Sequence, residues 1–292
     1  MDHRLLSQFL ALAETLHFGR ASELSHISPS TLSRSIKQLE DSLGTELFLR
    51  DNRSVSLTPA GVKFQSYARE ALTAWELLQS QLAETQGELK GEISMYCSVT
   101  ASYSFLYDLL SSFRQAHPKI EIKLHTGDPE SAIGRVLAGT EEVTIAAKPE
   151  SLPAGLAFKH IATSPLVFIA PTQELQTDLP IGPDGVSDWA KTPMILSESG
   201  LARKRINRWF KRKGIKPTIY AQVAGHEAIV SMVSLGFGVG VVPRIVLDNS
   251  PLAQRVRILE ASPALDAYEV GLFTLEKKLK NPLIQAFWHS IS

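Results

Sequence analysis

The 292-residue sequence has little of several features that would narrow its function. A single cysteine, Cys97, excludes an internal disulfide framework and a cage of thiolate metal ligands. Neither charge is in excess, because 30 Lys and Arg residues balance 30 Asp and Glu residues, so net charge does not indicate nucleic acid, membrane or acidic partners. No apolar run is long enough for a signal peptide or a membrane span. We therefore expect a cytoplasmic chain with no membrane partner.

The sequence also lacks any short motif of an enzyme active site. His226 and Glu227 are the nearest approach to an acid–base pair, but adjacent residues point in different directions on a helix. We expect no catalytic residues, no metal and no cofactor. With 44% hydrophobic residues, the chain can bury a full core and is long enough for two or three compact units.

A regular amphipathic helix is predicted within ISPSTLSRSIKQLEDSLG, residues 27–44. Ser28 suits the N-cap, Pro29 the first helical position and Gly44 the C-terminal stop. Spacings of four, three and four predict a buried face, made of Leu32, Ile36, Leu39 and Leu43. The opposite face near the helix start is polar, so it contacts either water or a polar partner.

The surroundings of this helix favour a DNA partner. Two short helical patterns precede it, and ELFLR and SVSLT follow as a hairpin joined by DNR, which is typical of a winged helix-turn-helix. A recognition helix enters the major groove by its N-terminal residues, and Arg34 is the expected base reader. The polar face and the wing predict contacts to double-stranded DNA by Ser30, Thr31, Ser33, Arg34, Lys37, Arg50 and Arg53.

Charge in this segment leaves an alternative open. Residues 1–60 carry six Lys and Arg against seven Asp and Glu, so binding to random DNA should be weak. DNA binding requires the cations to converge on one face, with Glu40 and Asp41 pointing away at the far end of the helix. The alternative is that Arg34 and Lys37 belong to an ordinary solvated helix face.

The segment 58–87 predicts a long helix that starts at Thr58 as N-cap and Pro59 in the first turn. A heptad seam runs along it through Phe64, Ala68, Ala71, Trp75, Leu78 and Leu82. So narrow a seam favours pairing with a second copy of the chain, and two recognition helices would then read an interrupted inverted repeat. The alternative is an amphipathic helix packed on its own core. GELKGE, residues 87–92, breaks the helix and predicts a domain boundary.

Beyond this boundary, short apolar runs alternate with helical patterns, which predicts an α/β domain with largely parallel sheets. Three strand ends carry polar residues before a helix, where ligands of such sheets bind. They supply Ser98, Thr100, Ser102, Ser197, His226 and Glu227. Lys148 could bind a carboxylate. The alternatives are helix capping for the hydroxyl and carboxylate groups and a solvated strand end for Lys148.

The run FLALAETLHFGRASELSHISPSTLSRSIKQLEDSLGTELFLRDNRSVSLTPAG resembles the N-terminal domain of the LysR family of bacterial transcriptional regulators, and the resemblance extends over the whole chain. It implies DNA contacts from Pro29 as well as from the residues above. It also implies a DNA-binding domain at 1–58, a linker and dimerisation helix with a hinge at 59–91, and an effector-binding domain at 92–292.

That last domain resembles a periplasmic binding protein, with two α/β lobes and the effector between them. The resemblance implies lobe I at 92–163 and 268–292 and lobe II at 164–267. Ser98, Thr100 and Ser102 would contact the effector from lobe I. The second lobe would contact it through Ser197, His226 and Glu227.

Several runs resemble the branch of the family that activates isoleucine-valine biosynthesis, among them HFGRAS, YCSVTASYS, EIKLHTGD and GHEAIVSMVSLGFGV. This implies a small hydroxy-keto acid effector such as 2-acetolactate and the acetohydroxy acid isomeroreductase gene as target. Expected partners are RNA polymerase and further copies of the chain, in a homodimer or homotetramer. Two alternatives stay open: a regulator of another operon with a different small-acid effector, and a DNA-binding module whose second domain only oligomerises. The basic stretch LARKRINRWFKRKGIK is read as a solvated face or as a phosphate or polymerase contact.

Overall fold

The computed structural model describes residues 2–50, 54–84, 89–172, 181–182, 185–186 and 188–291. The chain divides into two compact units, Met1–Gly87 and Glu88–Ser292. The predicted wing residue Arg53 and residues 87 and 88 of the predicted hinge lie outside the described residues. Of the helices in the described ranges, none has the length and apolar character that a membrane span requires.

The first unit is a winged helix-turn-helix followed by a long helix, as the sequence predicts. Its elements are α1 (His3–Thr15), α2 (Phe18–Leu24), α3 (Pro29–Leu43), β1 (Phe48–Arg50), β2 (Val55–Leu57) and α4 (Pro59–Glu84). The predicted ends of α3 are confirmed: the Thr31 N–H donates to Ser28 Oγ at 3.2 Å, and Gly44 has a left-handed φ of 65° that favours glycine. Thr58 caps α4 through the Gly61 N–H at 2.9 Å.

The core of the first unit is built around Phe9 of α1. Its ring meets the Phe64 ring edge-on at 4.8 Å and lies 5.2 Å from the ring of Phe48. Three of the four predicted apolar residues of α3 are buried against it, whereas Leu43 is 39% exposed because it stands in the last turn. Burying a large apolar side chain contributes about 1.5–3 kcal/mol, so these contacts hold α3 in place beneath its polar face.

The second unit contains two five-stranded sheets, ordered β4-β3-β5-β14-β6 and β11-β10-β12-β7-β13. The strands of the first are β3 (Gly91–Cys97), β4 (Ile120–Thr126), β5 (Val143–Ala147), β6 (Leu156–Ser164) and β14 (Tyr268–Leu275). Those of the second are β7 (Leu166–Pro171), β10 (Pro193–Ser197), β11 (Thr218–Val223), β12 (Val239–Pro243) and β13 (Val256–Leu259). A small hairpin consists of β8 (Ile181–Gly182) and β9 (Gly185–Val186).

Each large sheet is mixed, which corrects the prediction of largely parallel sheets. In the first, β3 is parallel to β4 and β5, whereas β14 is antiparallel to β5 and β6. In the second, β10 is parallel to β11 and β12, whereas β7 is antiparallel to β12 and β13. The antiparallel strands β7 and β14 are the ones that the chain enters directly from the other sheet, from β6 and from β13, without the crossover helix that links parallel neighbours.

Helices of the second unit start at strand ends and thereby position its polar groups. They are α5 (Val99–Ala116), α6 (Ala132–Ala138), α7 (Gly200–Arg212), α8 (His226–Ser234), α9 (Arg244–Asp248) and α10 (Pro282–His289). Helix α5 follows β3, α7 follows β10 and α8 follows β11, so three helix N-termini lie at the carboxyl ends of parallel strands. We call the first sheet with its helices the first lobe and the second sheet with its helices the second lobe.

Candidate functional site

The start of α3 presents an exposed polar surface. Its exposed members are Pro29, Ser30, Thr31, Arg34 and Lys37, with Ser33 half-buried beside them. The Ser28 hydroxyl lies 3.0 Å from the Ser30 hydroxyl and 2.8 Å from the Thr31 hydroxyl. Arg34 and Lys37 make no hydrogen bond or ion pair with any residue that the structure describes. Both cations are therefore available to a phosphate or a base edge.

Arg50 has a different environment. Its Nη2 atom lies 2.6 Å from Glu40 Oε2, and its guanidinium stands 5.2 Å from the Phe18 ring centroid. The other oxygen of Glu40 accepts the backbone N–H groups of Leu47 at 2.9 Å and Phe48 at 3.1 Å. Glu40 is buried and joins the end of α3 to the wing, so it does not point away as expected. The charge of Arg50 is already compensated inside its own domain.

The predicted seam on α4 divides into two parts. Phe64 and Ala68 are buried in the core of the first unit, and Ala71 packs against that core. They therefore contact their own domain, because the first turns of α4 pack on α1. The second part remains exposed and consists of Trp75, Leu78 and Leu82. Among the described seam residues, these three are the ones that the core of their own domain leaves exposed, and the Trp75 ring lies 4.1 Å from the His3 ring.

A cavity of about 440 Å³ lies between the two lobes of the second unit. Polar groups from the first lobe meet polar groups from the second in its wall: Ser98, Thr100, Glu130, Lys204, His226 and Glu227. The apolar part includes Phe105, Ile133, Ile145, Ile245, Val246 and Val270. Cavities of this size, with an apolar lining and a few polar groups, are typical of small-molecule sites.

Four of the predicted effector residues meet in this cavity. Ser98 caps α5 by accepting the Ala101 N–H at 3.1 Å, so the capping alternative holds for its side chain. Thr100 donates both its backbone N–H, at 3.2 Å, and its hydroxyl to Glu227 Oε1. His226 and Glu227 begin α8 on the opposite lobe. The cavity is therefore lined where the strand ends of the two lobes face each other.

The remaining three predicted residues do not line this cavity. Ser102 turns its hydroxyl back to the Val99 carbonyl oxygen at 2.6 Å. Lys148 forms an ion pair with Glu269 at 3.0 Å, so its positive charge is partly neutralised. Ser197 lines a separate, smaller cavity next to the loop that contains Asp128. Strand-end position alone did not distinguish these residues from those that face the cleft.

Sequence reasoning missed Glu130 and Lys204. Glu130 stands in the short turn Pro129–Ser131, and its carboxylate lies against Gly200 at the start of α7. Gly200 has φ 88°, and a side-chain carbon built there would collide with the Glu130 carboxylate. Lys204 makes no hydrogen bond or ion pair within the described ranges. Its position four residues after Gly200 places it on the same helix face as the helix start, which is the signal that could have identified it.

Burial sets the protonation of the groups in the cavity. It raises the pKa of the Glu130 carboxyl, and the nearby Asp128 adds to that rise. It lowers the pKa of His226, an effect that Glu227 and Asp128 oppose. The Nε2 atom of His226 is buried and has no hydrogen-bond partner among the described residues. Burial also raises the pKa of Cys97 to about 11, so this thiol stays protonated and unreactive.

The basic helix α7 is largely committed to contacts within the second unit. Arg203 donates to the Ser197 carbonyl oxygen at 2.8 Å. Arg205 donates to the carbonyl oxygens of the segment that leads into β14, and Arg208 pairs with Glu150 at 2.7 Å. The Arg208 contact joins the two lobes, whereas the Arg203 contact lies within the second lobe. The arginines therefore support the cleft, whichever partner meets the outer face of the helix.

Family profiles match both parts of the chain. Residues 3–62 match the family described as "Bacterial regulatory helix-turn-helix protein, lysR family", and residues 86–292 match "LysR substrate binding domain". The chain is 45% identical to "HTH-type transcriptional activator IlvY" of Salmonella typhimurium, over 99% of this chain and 98% of that protein.

Solved structures share the fold. A full-length OxyR variant from Pseudomonas aeruginosa aligns with a TM-score of 0.70 at 21% identity, covering 100% of this chain and 94% of the other. Full-length CbnR in complex with its target DNA aligns with a TM-score of 0.64 at 23% identity, covering 100% and 99%. The predicted winged helix-turn-helix with a two-lobed α/β domain is thus confirmed. The chain is a DNA-binding transcriptional regulator rather than an enzyme, and it belongs to the LysR family.

Proposed function

We propose that this regulator activates the acetohydroxy acid isomeroreductase gene of branched-chain amino acid biosynthesis in response to a small hydroxy-keto acid such as 2-acetolactate. The observation that carries the proposal is the 45% identity, over nearly the full length of both chains, to an activator named IlvY. The resemblance of motifs such as YCSVTASYS and GHEAIVSMVSLGFGV to that branch supports the same pathway.

The cavity suits an effector of this chemistry. Its apolar wall can receive two methyl groups, and its polar wall offers the Thr100 hydroxyl, the His226 imidazole and the Lys204 ammonium. A hydroxy-keto acid needs partners for a carboxylate, a hydroxyl and a carbonyl group. Lys204 lines the cavity and attracts an anionic effector through its positive charge, whereas Lys148 lies outside the cavity and pairs with Glu269.

Two DNA-binding domains, one from each chain of a dimer, act together in this proposal. The exposed part of the α4 seam, from Trp75 onward, pairs two chains into a homodimer, and two dimers can form a homotetramer. Each dimer presents two copies of α3 to an interrupted inverted repeat. Effector binding changes the angle between the lobes, and with it the spacing of the DNA-binding domains, the bend of the DNA and the access of RNA polymerase.

Transcription from the isomeroreductase promoter tests the proposal in a reconstituted system of regulator, DNA and RNA polymerase. We expect 2-acetolactate to increase transcript yield, and acetoin, its decarboxylated and uncharged counterpart, to leave the yield unchanged. Binding of this promoter with no response to 2-acetolactate would favour a different small-acid effector. Absence of specific promoter binding would favour the alternative, a regulator of another operon.

A further inference from the structure

Two carboxylates cross the cleft in opposite directions. Glu227 of the second lobe accepts the N–H and hydroxyl of Thr100 at the start of α5 in the first lobe. The carboxylate of Glu130 in the first lobe lies against Gly200, the first residue of α7 in the second. Unpaired N–H groups and the helix dipole favour an anion at such positions. Each helix start therefore holds a negative charge that the opposite lobe supplies.

The two carboxylates differ in how easily they can leave. Glu130 is confined, because its carboxylate occupies the space where a side chain on Gly200 would stand. Glu227 is exposed, so its carboxylate can return to water at little cost. Its donors on Thr100 are buried, with 9% of that residue exposed. Buried donors that lose one acceptor need another, so Glu227 can leave only in exchange for a new oxygen.

A neighbouring atom points to a ligand at the same place. His226 precedes Glu227 and lines the cavity, yet its buried Nε2 has no hydrogen-bond partner among the residues that the structure describes. Nearly all buried polar atoms in folded proteins have a partner, protein or otherwise. A small molecule with one oxygen at Thr100 and a second polar group nearby would supply this partner.

We propose that the Glu227 carboxylate occupies the position at Thr100 that the carboxylate of the effector takes. An anionic effector then binds by displacing Glu227 from Thr100. This rests on the proposed function of the cleft as an effector site. The ligand class is a small monocarboxylate with an adjacent hydroxyl or carbonyl group for His226. Displacement breaks the Thr100–Glu227 contact, which joins the two lobes. Binding of the effector is therefore coupled to the angle between the lobes. Because only molecules in which Glu227 has left Thr100 can bind the effector, the Glu227 carboxylate lowers the apparent affinity for the effector.

Titration calorimetry on the full-length protein tests this exchange. The variants are Glu227→Gln, which keeps an acceptor but loses the charge, and Glu227→Ala, which removes both. The probes are 2-acetolactate, the stable carboxylate 2-hydroxyisobutyrate, and uncharged acetoin. We expect both variants to bind the carboxylates about tenfold or more tightly than wild type, because each variant removes the negative charge of Glu227 and its competition for Thr100. Binding of acetoin should be unchanged.

Glu92→Gln is the matched control for loss of one negative charge. Glu92 stands near the far end of β3 from the cavity and lies 3.9 Å from Lys123 on the surface. This variant should bind every probe as wild type does. A circular dichroism spectrum that matches wild type will show that the Glu227 variants are folded, and Glu227→Gln suffices if Glu227→Ala is unstable.

The outcomes separate this proposal from the assignment of the effector. Carboxylate binding that is unchanged or weaker in Glu227→Gln overturns the displacement. The same holds if no carboxylate binds to either wild type or variant. Tighter binding of 2-hydroxyisobutyrate by the variant, with no binding of 2-acetolactate, supports the displacement and removes 2-acetolactate as effector.

Discussion

Two arginines of the DNA-binding domain occupy unlike environments although both are expected to face DNA. Arg34 is exposed on α3 and makes no hydrogen bond or ion pair with a described residue. Arg50 is paired at 2.6 Å with the buried Glu40. A paired arginine must break its ion pair before it can bind a phosphate, whereas an unpaired one can fork directly onto guanine. We therefore expect Arg34 to read a base and Arg50, while it is paired with Glu40, to stabilise the wing.

Arg34→Ala should weaken binding to DNA upstream of the chain's own gene by about 1–3 kcal/mol, because a bidentate base contact is lost. Fluorescence anisotropy across a salt series measures this change. Arg4→Ala is the control, since Arg4 is an exposed arginine of the same domain on α1 rather than α3. Equal affinity of wild type and Arg34→Ala would mean that this face of α3 is only solvated.

The element that changes most between sequence and structure is α4. Its heptad seam suggested one continuous interface between chains, but the first part of the seam belongs to the core around Phe9. A helix that follows a small domain can bury its first turns there and leave its later turns for a partner. Leu78 is 45% exposed on this later part and is not accounted for by the core of its own domain.

Leu78→Glu should shift the chain toward monomer, because each leucine buried between chains contributes about 1.5–3 kcal/mol. Sedimentation equilibrium measures the dissociation constant of the dimer. The matched control is Val62→Glu, an exposed apolar position of the same helix outside the seam. Dissociation by both variants alike, or by neither, would place the dimer interface elsewhere.

At the scale of the whole molecule, the two compact units carry separate tasks. Residues 3–62 form the helix-turn-helix, and the cavity lies wholly within the second unit. A ligand that binds only the folded second unit stabilises that unit by mass action. The stability of the first unit depends on its own core.

Addition of 2-acetolactate at one hundred times its dissociation constant should stabilise the second unit by about 2.7 kcal/mol. Differential scanning calorimetry on the full chain should show the larger transition moving upward while the smaller one stays in place. Acetoin at the same concentration is the control. An unmoved larger transition would support the rival view that the second domain only oligomerises.

Much of the fold could be read from the sequence because its determinants are local. Ser28, Pro29 and Gly44 act within one or two turns, so the ends of α3 were predictable. The mixed sheets were not, because strand direction depends on which distant strands pair. At the site, Ser98, Thr100, His226 and Glu227 were predicted from strand ends, whereas Glu130 gave no such signal, since its role depends on a helix seventy residues later.

What the sequence by itself determined is local structure: caps and apolar periodicity predicted the winged helix-turn-helix and the α/β domain, because these features act between near neighbours, and the motif runs resemble the LysR family. Only the tertiary structure decided which polar groups meet. It paired Arg50 with Glu40, Lys148 with Glu269 and Glu227 with Thr100, and it left Lys204 on the cavity wall. Such pairings depend on distances across the fold, and electrostatic and hydrogen-bond energies fall steeply with distance, so they are set only when each unit has folded.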